Sequence, residues 1–184
     1  MNDTRTRLAL KAGLLFQQKG YHGVGIAEIL TAAGVPKGSL YHHFPNGKAD
    51  LALAAAAIAS TEMLRIVDAS FEPATDYAHG ATTLCYKLAK FFDIQEGKIG
   101  CPVSSTLLEG PENEAFQLAL KDIFNAWMAR IRDHAIRLGS PPDKAEKDAQ
   151  KLFLAIQGGW TLARATRSSD VIRGLPALLL GDRN

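Results

Sequence analysis

The residues whose types and spacing could do chemistry lie between Lys37 and Lys48. Lys37, Gly38, Ser39, Tyr41, His42 and His43 crowd into one short stretch, interrupted by Leu40 and closed by Phe44. They do not form a catalytic set. Adjacent histidines cannot meet one metal from one side of a helix as an i, i+4 pair could, so no metal and no cofactor is implied. No nucleophile elbow, paired acidic motif or phosphate-cradling loop accompanies them; Gly23-Val24-Gly25 precedes a helix but follows no strand. The set suits nucleic acid instead. A lysine can donate to guanine O6 and N7, and a serine can donate or accept at either base. Gly38 lets the backbone approach closely. Tyr41 and His42 offer a planar face and a polar tip to thymine methyls and phosphates. His43 and Lys48 are placed for phosphate, Lys48 beside a helix N-terminus that attracts anions.

These side chains need elements to present them. Ile26 to Ala33 reads as a helix with Ile26, Ile29, Leu30 and Ala33 on one face. Gly34 turns the chain, and a very short second helix follows to Phe44. Two short helices about a glycine turn have the form of a helix-turn-helix, whose second helix enters the major groove. Ile26, Ile29, Leu30, Val35, Leu40 and Phe44 are its expected buried positions. An earlier helix, capped by Asp3 or Thr4, runs to about Lys19 with Leu8, Ala9, Ala12, Leu15 and Phe16 as its stripe. The glycines of Gly20 to Gly25 break it.

Gly34-Val35-Pro36-Lys37-Gly38-Ser39-Leu40-Tyr41-His42-His43-Phe44, followed by Lys48 and Leu51, resembles the signature of TetR/AcrR-type transcriptional regulators over roughly residues 5 to 55. The resemblance implies the same DNA-contacting roles for Lys37 to His43 and Lys48. It also implies a Thr or Ser where Gly25 stands, so a side-chain phosphate contact is lost there. Gly100-Cys101-Pro102-Val103 with Leu107-Leu108-Glu109 more narrowly resembles drug- and flavonoid-responsive repressors of the LmrA/YxaF type.

Composition agrees with a globular chain: 184 residues, 47% hydrophobic and 22% charged, enough to bury a core. Residues 1–50 carry six Lys/Arg against three acids, and the remainder fifteen against sixteen. A positive module on a near-neutral body suits phosphate binding by the N-terminal part. The apolar run from Leu51 to Ala59 is far short of a membrane span, and Met1 to Arg5 has no signal core. No membrane association and a cytoplasmic location are therefore expected. Two cysteines, Cys85 and Cys101, make neither a disulfide framework nor a zinc site.

Beyond the turn at Pro45-Asn46-Gly47, with Asn46 or Gly47 as cap, a connector helix is expected from Lys48 to about Phe71, ended by Pro73. Further helices fit Thr75 to Ile94, a short one from Val103 to Leu108, Asn113 to Leu138, Asp143 to Thr166 with Ser140 capping across two prolines, and Asp170 to Leu180, with a break at Gly174-Leu175-Pro176. The fold is read as all-α: a three-helix DNA-binding domain over 1–48 and a larger ligand-binding and dimerisation bundle over 49–184.

One recognition helix reads few base pairs, so a homodimer on a palindromic operator is expected. Residues about 143–180 supply its surface, through Gly158-Gly159, their apolar neighbours and the leucines near the end; the resemblance implies a four-helix bundle there. Tyr86, Phe91, Phe92, Cys101, Phe124, Trp127, His134 and Trp160 are candidate contacts for a small hydrophobic or aromatic effector that releases DNA by population shift. Taken singly, each reads first as core, the usual role of aromatics at helical spacing. A thiol-responsive repressor acting through Cys101, activated by Lys98, is an alternative; a helical enzyme lacks any cofactor motif.

Overall fold

A computed structural model describes residues 3–181. The order is α1 (Thr4–Lys19), α2 (Ile26–Ala33), α3 (Lys37–His43), α4 (Lys48–Phe71), α5 (Tyr77–Ile94), a π-helical turn (Ser104–Leu108), α6 (Glu114–Arg137), α7 (Pro142–Thr166) and α8 (Asp170–Leu180). No strand forms among the described residues, and none of their helices is long and apolar enough to cross a membrane.

Local chemistry explains most boundaries. The Asp3 carboxylate accepts the Thr6 N–H at 2.7 Å and caps α1. Gly34, with φ of 63°, ends α2 in the left-handed region, where a glycine carries no Cβ penalty. Asp76 caps α5 by accepting the His79 N–H at 2.8 Å. Two expectations fail. Ser140 does not cap α7, because Pro141 occupies that position. Instead the Ser140 N–H reaches back to the Ala135 carbonyl at 3.0 Å and closes the end of α6. Nor does α8 break: Pro176 lies inside it. Proline costs the helix one hydrogen bond, but Ile172 and Leu175 on the same helix are buried and hold it.

The chain divides into two compact units. The first comprises the described residues of Met1–Thr61 together with Gly100–Ile123. Leu8, Ala12, Phe16, Ile29, Leu40 and Phe44 are among its buried residues, and α1 packs against α2, α3 and the π-helical turn. That turn joins the unit through backbone bonds: Gly100 N–H to Gln17 O, and Tyr21 N–H to Ser105 O, each 3.2 Å. The second unit comprises Glu62–Ile99 and Phe124–Asn184, again over its described residues. Its core includes Phe71, Leu84, Leu88, Phe92, Ile131, Leu152, Trp160 and Ile172, and α8 packs against both α5 and α7.

Candidate DNA interface and effector site

A seven-residue helix such as α3 does not persist alone in water. It is held by burying Leu40 and Phe44, which are 0% and 1% exposed. This anchoring fixes the opposite face. Lys37, Gly38, Tyr41 and His42 are exposed there, while Ser39 and His43 are half-buried. The His42 and His43 rings meet edge-on with centroids 4.9 Å apart. Ile26 and Val35, expected in the core, are only half-buried at its margin. Gly25 is the N-cap of α2 and makes no side-chain bond.

Lys48 opens α4 and rests its ammonium over the Tyr21 ring, 4.3 Å from the centroid. Burial pushes the Lys48 amine below its ordinary range and the Tyr21 hydroxyl above it. Arg5 lies over the Phe44 ring at 5.3 Å. No local pattern marks Tyr21 or Arg5, because a cation resting on a ring joins residues far apart in the chain.

The candidate effector contacts do not gather around one cavity. In the second unit, Phe91 and Phe92 both lie against Trp160, with centroids 6.4 Å away in each case, and Trp160 Nε1–H donates to the Ile99 carbonyl at 3.1 Å. Phe124 meets Trp127 and Phe153 in a separate cluster. His134 is committed to protein: Nε2 is 2.8 Å from Asp68 Oδ1, Nδ1 is 3.5 Å from Arg137, and the ring stacks on Phe71. Tyr86 is exposed and borders a groove of about 250 Å³ between α5 and α8, with Thr82, Arg173, Pro176 and Leu180. Cys101 belongs to the first unit and is buried. Lys98, its expected activator, is paired with Glu96.

Residues 11–55 match the family of bacterial regulatory proteins named for tetR, and residues 78–176 match the C-terminal domain of LmrA/YxaF-like transcriptional regulators. This chain belongs to the TetR family. The HTH-type transcriptional regulator YxaF of Bacillus subtilis is 28% identical over 98% of this chain and 93% of its own. LmrA of the same organism is 29% identical over 91% and 89%. Among solved structures, a TetR regulatory protein from Rhodobacter sphaeroides superposes with a TM-score of 0.81 at 25% identity, covering 97% of this chain and 95% of that one. As a TetR-family protein with an LmrA/YxaF-like C-terminal domain, the chain is a DNA-binding transcriptional regulator and not an enzyme.

Proposed function

We propose that this TetR-family regulator works as a cytoplasmic homodimer that places α3 of each protomer in successive major grooves of a palindromic operator. Lys37, Gly38, Ser39, Tyr41 and His42 meet base edges and the groove wall, and His43 and Lys48 meet phosphates. The carrying observation is the division of α3: its apolar residues are sunk in the first unit while Lys37, Gly38, Tyr41 and His42 are exposed. Functionally, residues 1–48 read DNA and 49–184 serve ligand binding and dimerisation.

The dimer surface lies within about 143–180. On α7, Leu154, Gly158 and Leu162 recur at i, i+4 and i+8, and all three are exposed. Leu178 on α8 is 80% exposed. Two protomers burying this stripe would remove apolar surface from water and let the backbones approach at Gly158. A small hydrophobic or aromatic effector, bound in the bundle, releases the operator by favouring the arrangement that does not fit DNA. Tyr86, Phe91, Phe92, Phe124, Trp127, His134 and Trp160 are the bundle's effector candidates, and Cys101, buried in the first unit, is the eighth. No second reading is favoured, since the thiol alternative needs an exposed Cys101.

The test is binding of the purified protein to labelled DNA from its own upstream region and to sites selected from its genome, with excess competitor. A specific complex of two protomers per site, weakened by salt, supports the reading. Binding no tighter than to competitor for every selected site refutes it.

A further inference from the structure

Tyr21 lies outside the recognition helix, yet it is where four elements of the first unit meet. Its ring stacks on Phe16 of α1 at 5.5 Å and meets the Phe116 ring of α6 nearly at right angles, with centroids 5.6 Å apart. Its backbone N–H donates to Ser105 O in the π-helical turn. The ring also carries the Lys48 ammonium. Nearby glycines allow this crowding. Gly20 has φ of 71°, and a Cβ there would come 3.1 Å from the Glu109 carboxylate; a Cβ on Gly110 would come 2.8 Å from the Phe116 ring.

Lys48 forms no ion pair among the described residues, and it is half-buried. A partly desolvated cation with no carboxylate beside it is costly unless something else supports the charge. The ring face does so through its quadrupole. Among the described residues, none takes the ammonium's remaining N–H groups, which stand at the start of a 24-residue helix whose dipole favours an anion at the same place. We propose that Tyr21 is a positioning residue for DNA binding: its ring holds Lys48 preset for a backbone phosphate, while the Ser105 carbonyl anchors the Tyr21 backbone and Phe116 packs on the ring. This rests on the DNA-contact role of Lys48 given above.

The geometry also gives the C-terminal match a hold on the DNA contact. Ser105 and Phe116 lie within residues 78–176, whereas Tyr21 and Lys48 lie within 11–55. A shift of the π-helical turn or of the start of α6 moves the ring on which the phosphate-seeking cation rests.

The experiment measures binding of the full-length protein to a short labelled duplex of mixed sequence across a salt series, because a phosphate contact is independent of sequence. Lys48→Gln is expected to flatten the slope of log affinity against log salt by about 0.9, the value of one lost phosphate contact. Replacing Tyr21 with Phe keeps the ring face and should leave slope and affinity unchanged. Replacing it with pentafluorophenylalanine keeps the shape but reverses the ring quadrupole, so folding is preserved, and affinity should fall about two- to fivefold. In the Lys48→Gln background the fluorinated residue should have no further effect. An effect of equal size with and without Lys48, or none in either, overturns the positioning role. An unchanged slope in Lys48→Gln overturns the phosphate contact and the proposal with it. A wild-type protein that binds no duplex refutes the DNA-binding reading itself.

Discussion

His134 Nε2 lies 2.8 Å from Asp68 Oδ1, and the other Asp68 oxygen takes Arg130, so one carboxylate on α4 ties two residues of α6. Arg137, one turn on, donates to the Phe71 carbonyl at 2.7 Å. Burial alone would raise the Asp68 carboxyl, but the hydrogen bonds from His134 and Arg130 outweigh it and hold the group below its usual range. A depressed carboxylate stabilises the fold above its unfolded value and loses that contribution as pH falls through the lower folded value. Asp68→Asn should therefore cost about 1–2 kcal/mol at neutral pH. The gap from wild type should persist to about pH 5 and narrow only below about pH 4. Urea unfolding at several pH values checks this; a gap that stays constant into the acid range removes the charged tie as its source.

Gly158 and Gly159 look like one feature in the sequence but face different surroundings. A Cβ on Gly159 would sit 3.0 Å from Leu175 Cδ1, so this glycine lets α8 lie against α7 within the chain. Among the described residues, nothing lies within 4 Å of a Cβ on Gly158. Gly159→Ala should lower stability by about 1 kcal/mol, the strain outweighing alanine's better helix propensity. Gly158→Leu should leave each protomer folded and shift a dimer toward monomer. Sedimentation at several concentrations, with helical circular dichroism as control, distinguishes the two. A Gly158→Leu dimer as tight as wild type would place the interface elsewhere.

Much of this was legible because it is local. Asp3, Gly34 and Pro73 each act within one turn of their own position, so the start of α1 and the ends of α2 and α4 follow from residue type, whereas α5 starts at Tyr77 behind its Asp76 cap and not at Thr75. The split of α3 into a buried and an open face follows from Leu40 and Phe44 recurring at i and i+4. What escaped was long-range. Nothing near Ser105 says that its carbonyl serves Tyr21, and nothing near Asp68 names His134 as its partner. Ser140 has a capping residue's chemistry, but the proline pair moves the cap by one residue, to Pro141. The aromatics of the second unit show the same limit: helical spacing puts Phe91, Phe92 and Trp160 inward but does not say whether a ligand or another ring meets them.

Tyr41 is 46% exposed, so it contributes little to the core. Tyr41→Ala should change stability by less than about 0.5 kcal/mol, as surface substitutions generally do. Specific operator affinity should nevertheless fall by about 1–3 kcal/mol, while affinity for mixed-sequence duplex falls much less. The ratio of the two affinities, measured at one salt concentration, is the deciding quantity. Equal loss on both would make Tyr41 a phosphate contact.

Trp160 separates the effector-contact reading from the core reading. Its indole N–H is bonded to the Ile99 carbonyl, its ring is 3% exposed, and Phe91 and Phe92 flank it. Trp160→Phe removes the donor and leaves a buried carbonyl unpaired, which costs about 1–3 kcal/mol in addition to lost packing. A side chain that only lines an open effector cavity would lose far less, since water could reach the carbonyl and no packed neighbour would be left behind. Thermal unfolding of Trp160→Phe should thus show a clear drop in Tm without any ligand present. An unchanged Tm, together with weakened response to an aromatic effector, would make Trp160 a ligand contact first and a packing residue second.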